Sequence, residues 1–236
     1  MMSNHSNLDD PNKIPIFSIS EDTEIVDDVN DVLTDLAEFG IDQLLKDGVF
    51  QAIPLIGSAV GVLKIFIKTK DWLLLRNVYR FRYNIQTITE DNRKSFIERL
   101  SKDADYRQRV GENLLLLLNR VDDIRKPELI ANLFKAFVEG RIDDEKYQKL
   151  GTAIDRISIQ NIPHLIKFYH EFDGENFEIL HNRVNEIPDD ALQDLVNCGI
   201  IDICFNPNIL IDEGFTRSKV VELGKMFVEI VLNKQK

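Results

Sequence analysis

Apolar residues recur along most of this chain at three- and four-residue steps, the period of helices that bury one face. The first such series is Ile25, Val29, Val32, Leu33, Leu36, Ala37, Ile41, Leu44 and Leu45. It predicts a long helix opening near Glu21 or Asp22, with acidic residues on its other face and Gly48 at its end. Further helices are predicted near 90–101, 104–124, 127–139, 144–158 and 162–171. Thr89, Ser101 or Asp103, and Asp143 suit N-caps, because their side-chain oxygens can accept from free N–H groups of a first turn. Pro127 suits the first helical position, where its missing N–H costs nothing. The leucines from Leu114 to Leu118 exceed what one face needs, so the second of these helices is expected at the centre of the core.

Near Asp173-Gly174 the pattern changes. Two short helices are predicted, Glu175 to Val184 and Asp189 to Cys198, separated by Ile187-Pro188. Gly199 then precedes IIDICF, an apolar strand; Asn206-Pro207-Asn208 is a turn and ILIDEGF a returning strand. A closing helix, Ser218 to Leu232, carries Val221, Met226, Phe227, Ile230 and Val231 on a broad apolar face. LVNCGIIDI and FTRSKVVELGKMF resemble the helix-to-wing passage and closing helix of winged-helix domains. The expected fold is mainly α: a multi-helix bundle with a small C-terminal winged-helix-like unit. Its parts would be an irregular arm (1–20), a helical domain (21–172) and the winged-helix-like domain (173–236).

One stretch breaks the periodicity. Gly48 to Leu63, GVFQAIPLIGSAVGVL, runs sixteen residues without a charge. A bilayer-spanning helix needs about 20 apolar residues, and Ala52, Gly57, Ser58, Ala59 and Gly61 dilute this one further. A permanent single span is therefore not expected. Pro54 fits a first helical turn, making Leu55 an early helical residue of a segment reaching Trp72 and on towards Phe81. Gly57 and Gly61 have the GxxxG spacing that lets two helix backbones approach, whether in a core, in a homo-oligomer or in lipid.

Charge places this stretch in context. The chain sums to −11, but unevenly. Residues 1–47 hold twelve acidic and two basic groups, a sum of −10. Residues 64–82 hold Lys64, Lys68, Lys70, Arg76, Arg80 and Arg82 against Asp71, a sum of +5, which leaves −6 for the remainder. An uncharged run followed by lysines and Trp72 is suited to an anionic membrane surface or a partner helix. The expected contact residues are Ile53, Pro54, Leu55, Ile56, Gly57, Gly61, Lys64, Lys68, Lys70, Trp72 and Arg76. The bland alternative is a core helix whose glycines admit a close neighbour.

The remaining chemistry is sparse. Overall acidity disfavours nucleic acid. The stretch in the place of a recognition helix, PDDALQDLVNCG, offers Asp189, Asp190 and Asp194 and no base, leaving only Arg217 and Lys219 near the wing for phosphates. His164 and His170 stand six apart, a spacing that does not share a helix face, so no metal site is expected. EGRIDDEKY lacks the ligand pattern of a calcium loop. No GxxxxGK[ST], GxGxxG or GxSxG occurs, so no catalytic residue or cofactor is assigned. Cys198 and Cys204 read as reduced, half-buried thiols, and the first twenty residues lack a secretory pattern, so a cytoplasmic place, peripheral at the inner membrane, is expected.

The segments KDGVFQAIPLIGSAVGVLKIF, RQRVGENLLLLLNRVDDIRKPELIANLFKAFVEGRID and FTRSKVVELGKMFVEIVL resemble a group of uncharacterised bacterial helical proteins. The layout, a glycine-containing apolar segment ahead of a C-terminal winged helix, is similar to abortive-infection (Abi-alpha-like) proteins. That resemblance implies a role in phage defence and transfers no site residue. The expected function is non-enzymatic action through a conditionally exposed apolar and basic helix at a membrane or protein partner. The alternative is a winged-helix transcriptional regulator or protein-interaction adaptor.

Overall fold

Side-chain caps set three of the described helix starts. The structure is a computed structural model describing residues 69–170, 180, 183–201 and 221–233. Helix α1 spans Thr69–Ile85, the end of the long segment expected from Leu55 onward. Helix α2, Glu90–Ser101, begins where Thr89 accepts from the Asn92 N–H. Helix α3, Ala104–Arg120, is capped by Asp103 accepting from the Tyr106 N–H. Helix α5, Asp144–Arg156, is capped by Asp143 accepting from the Lys146 N–H. Between α3 and α5 lies α4, Lys126–Val138, with Pro127 in its first turn. A 3-10 turn, Ile159–Asn161, leads into α6, Ile162–Tyr169, and α7 spans Asp189–Asn197. Residues 221–226 form α8, which continues as the π-helical Phe227–Val231.

Helix α3 stops four residues before its expected end, for a local reason. Val121 turns extended, and the Asp123 carboxylate accepts from the Arg125 backbone N–H at 2.8 Å, a competitor for helical pairing. Helices α4 and α7 both end in a left-handed glycine. Gly140 and Gly199 each have φ +72°, the conformation that lets the chain fold back on the last turn. The N–H groups that follow return to it: Arg141 to Ala136 O at 2.9 Å, and Ile200 to Leu195 O at 3.4 Å.

The core is centred on α4, not on α3 as the leucine run suggests. Ten of the thirteen α4 residues are buried, so every face of that helix is covered by a neighbour. On α3 only Val110, Gly111, Leu114 and Leu118 are buried, while Leu116 is 46% exposed. Aromatic rings from four helices meet at the centre. Phe134 of α4 lies edge-on to Phe81 of α1 (5.4 Å) and to Phe96 of α2 (5.6 Å). Phe137 of α4 stacks on Tyr147 of α5 at 4.5 Å. Each such pair adds about 0.5–1.5 kcal/mol beyond its burial. Arg99 of α2 closes the end of α4 by donating to Phe137 O and Val138 O, 3.3 and 2.9 Å away.

The C-terminal elements join the same body. Asn132 of α4 donates to Val231 O in the π-helical segment at 3.0 Å. The Tyr169 hydroxyl at the end of α6 donates to Ile200 O at 2.6 Å. Gly224 of α8 sits against both groups: a Cβ there would fall 2.6 Å from Tyr169 Cζ and closer still to Ile200 O.

No strand occurs among the described residues. The predicted wing (200–215) from 202 onward, the acidic helix from Glu21 and the arm 1–20 lie outside them, as do most of 175–184 and the start of the closing helix. Ile200 and Ile201, expected to open a strand, form a bend after α7.

Candidate functional site

Of the predicted contact residues, Ile53, Pro54, Leu55, Ile56, Gly57, Gly61, Lys64 and Lys68 lie outside the described residues, as do Arg217 and Lys219. Lys70 and Trp72 fall in the first turn of α1, and Arg76 in the next. One face of α1 is committed to the bundle: Asn77, Val78, Phe81 and Ile85 are at most 1% exposed. Asn77 donates to Leu118 O at 3.0 Å and Arg80 to Ile124 O at 3.2 Å. Both acceptors lie at or just past the end of α3, where carbonyls lack helical partners. Arg76 is half-buried and donates to Asn77 Oδ1 at 3.4 Å. Thus Arg80 of the basic segment bonds across to the chain just past α3, while the Arg76 bond stays within α1. Among the described side chains of α1, Leu73 and Tyr83, 44% and 67% exposed, are the large apolar and aromatic groups left to solvent. No helix among the described residues is long and apolar enough to cross a membrane.

In α7 the three aspartates separate. Asp189 and Asp190 are exposed in the first turn, where the helix dipole favours negative charge. Asp194 faces the body and accepts from the Ser158 N–H at 3.1 Å and from Asn161 Nδ2 at 2.8 Å. Cys198, at the end of α7, is buried. Burial, then the charge of Asp194, pushes its thiol up to about 12, so it stays protonated and inert as a nucleophile.

A buried lysine was not foreseen. Lys126, 2% exposed, opens α4 with its ammonium on Asp155 O at 2.9 Å and Asp122 Oδ1 at 2.7 Å. The available signal was Asp122, four residues earlier, but charged residues at a helix start ordinarily face water. Here the ammonium ties the α3–α4 connection to the end of α5, where Arg120 also pairs with Asp155 at 3.3 Å.

A cavity of about 170 Å³ opens between α3 and the first turns of α5. Tyr106, Arg109, Val110 and Asn113 line it from α3; Asp144, Tyr147 and Gln148 line it from α5. Tyr147 is 2% exposed, and its buried hydroxyl has no hydrogen-bond partner. Burial, followed by the charge of Asp144, raises the Tyr147 phenol above its ordinary value. Burial, the charge of Asp144 and a hydrogen bond to that carboxylate push Tyr106 up to about 12, against the opposing pull of Arg99 and Arg109. Both hydroxyls therefore remain donors at neutral pH rather than general bases. Sequence reasoning missed this cavity because Tyr106 and Tyr147 stand on different helices and follow the ordinary apolar spacing.

His164 is half-buried on α6 and His170 exposed just past it. Among the described residues no group of three or more His, Cys, Asp or Glu side chains could hold a metal ion. No protein-family model, curated protein or solved structure matches the chain.

Proposed function

We propose that this is a non-enzymatic protein that works by conditional exposure of residues 48–63 and the basic segment after them to an anionic membrane surface. The observation that carries this reading is the charge step along the chain: −10 in residues 1–47, none in 48–63 and +5 in 64–82. Support comes from α1, which carries the end of the basic segment and is fixed to the bundle through Asn77, Val78, Phe81 and Ile85. A segment rooted in the bundle can report a change in it. In the resting state the acidic residues 21–46 cover the apolar run and neutralise the lysines; release presents apolar surface beside positive charge. A cytoplasmic protein that associates reversibly with the inner membrane in phage defence fits this mechanism and the layout described above.

Vesicle flotation tests it. A version lacking residues 1–47 should float with anionic vesicles and lose binding as salt rises, while the full chain floats less. If neither floats, the membrane mechanism is wrong.

One observation favours a second reading, an adaptor built on a C-terminal winged-helix-like unit. The helix in the recognition position holds Asp194 against the body and shows Asp189 and Asp190 to solvent. Such a surface repels phosphates and suits a basic protein partner. A gel shift that weakens steeply with salt would instead return the unit to DNA binding through Arg217 and Lys219.

A further inference from the structure

Helix α1 turns one side to the bundle and carries a different chemistry on the other. Leu73, Arg76, Tyr79 and Tyr83 follow one another at steps of three and four residues, which keeps them on one side of a helix. None of the four is buried, whereas Asn77, Val78, Phe81 and Ile85 on the bundle side all are. Leu73 and Tyr83 end a stripe about 15 Å long, at the helical rise per residue. Arg76 lies between them, with Asn77 Oδ1 as its acceptor at 3.4 Å and no ion pair among the described residues.

Charge and size narrow what this face can meet. A net-acidic molecule meets an anionic surface favourably only where its basic groups gather. Helix α1, with Lys70, Arg76, Arg80 and Arg82 against Asp71, is the most basic of the described helices. Helix α7, by contrast, shows Asp189 and Asp190 to solvent. A stable protein interface buries about 800 Å² on each side, and a single narrow stripe falls far short of that. A lipid surface requires no matching shape, and tyrosine rings settle at its headgroup level with their hydroxyls in water.

We propose that the outer face of α1, through Leu73, Arg76, Tyr79 and Tyr83, is the surface by which the folded bundle lies on an anionic membrane. The inference rests on the membrane reading above and adds an orientation to it. The bundle is held along α1, with Tyr83 at the lipid, rather than tethered through residues 48–68 alone.

Tryptophan quenching by vesicles of phosphatidylcholine and phosphatidylglycerol with brominated acyl chains tests it. The full-length protein is used, with the version lacking residues 1–47 beside it; Trp72 is the only tryptophan of both. In a Trp72→Phe background, Tyr83→Trp puts the reporter on the stripe, and Gln193→Trp puts it at an exposed site on α7. The vesicles should quench the first and leave the second as it is in water. Arg76→Gln should weaken vesicle binding about fivefold, the contribution of one cation near an anionic surface. Binding of the unaltered protein without quenching in Tyr83→Trp would overturn the proposal and leave the membrane reading standing, with residues 48–68 as the anchor. Equal quenching at both sites, or undiminished binding by Arg76→Gln, would overturn it too. If neither the full chain nor the shortened version binds, the orientation and the membrane reading fall together.

Discussion

Replacing Gly224 by alanine places a methyl group where the structure has no room for one. The new Cβ would stand 2.6 Å from Tyr169 Cζ and still closer to the Tyr169 hydroxyl and the Ile200 carbonyl oxygen. The phenol could swing away, but Ile200 O belongs to a backbone held by the fold-back after α7, so it cannot yield alone. Forcing extra volume into a packed site costs about 1–3 kcal/mol. Displacing the hydroxyl also breaks its 2.6 Å bond to Ile200 O, and a buried group left unpaired costs about 1–3 kcal/mol more. Against this, alanine in a helix is favoured over glycine by about 1 kcal/mol. The net expectation is a loss of roughly 1–5 kcal/mol.

Gly151→Ala makes the matched control. That glycine is also buried in a helix, but the nearest neighbours of its Cβ would all be Leu117 side-chain atoms, Cδ1 first at 3.0 Å. A flexible side-chain end can move, so the helix preference should offset the strain and leave stability within about 0.5 kcal/mol. Urea unfolding followed by circular dichroism, with unchanged m-values, reads both differences. Tyr169→Phe separates the two contributions. Because the glycine and the phenol share one contact, the double variant should lose less than the sum of the single losses. If Gly224→Ala is as stable as the parent, or matches Gly151→Ala, the close approach of α8 to α6 and Ile200 is not real.

Other consequences follow from single buried groups. Burial raises the Glu128 carboxyl above its usual value despite the opposing pull of Lys135 and Arg80. Its protonated form is thus favoured by folding, a contribution present below the unfolded pKa and lost as pH rises through the folded one. Glu128→Gln should therefore stabilise the protein near pH 7 and change little near pH 3; a loss near neutrality would mean that attraction to the two cations outweighs burial. In a Cys204→Ser background, native-state alkylation of Cys198 should be negligible at neutral pH and accelerate only with urea, reporting the opening of α7. Labelling at the rate of an exposed thiol would contradict its burial and its thiol pushed up to about 12.

Local chemistry made much of the described fold legible. Thr89, Asp103 and Asp143 bond to the N–H groups that their positions predict, and helices follow each of them. These are interactions among neighbours in sequence, so a one-dimensional pattern contains them. The early end of α3 is local too, set by Asp123 and Arg125, but it competes with an apolar period that continues past it. Helix rank was not legible. Five consecutive leucines raise hydrophobicity on every side of α3, yet Leu116 is exposed, whereas α4 fills the centre through Phe134 and Phe137.

The candidate sites divide the same way. The sequence by itself determined the charge step and the uncharged run from Gly48 to Leu63, because both are sums over contiguous residues. Only the tertiary structure decided that Arg80 and Asn77 spend their donors on the end of α3, that Lys126 points inward, and that Asp194 turns away from solvent. It alone brought Tyr106 and Tyr147 to one cavity. The physical reason is that burial and pairing depend on which helices meet, and apolar periodicity specifies that a face is covered without specifying by what.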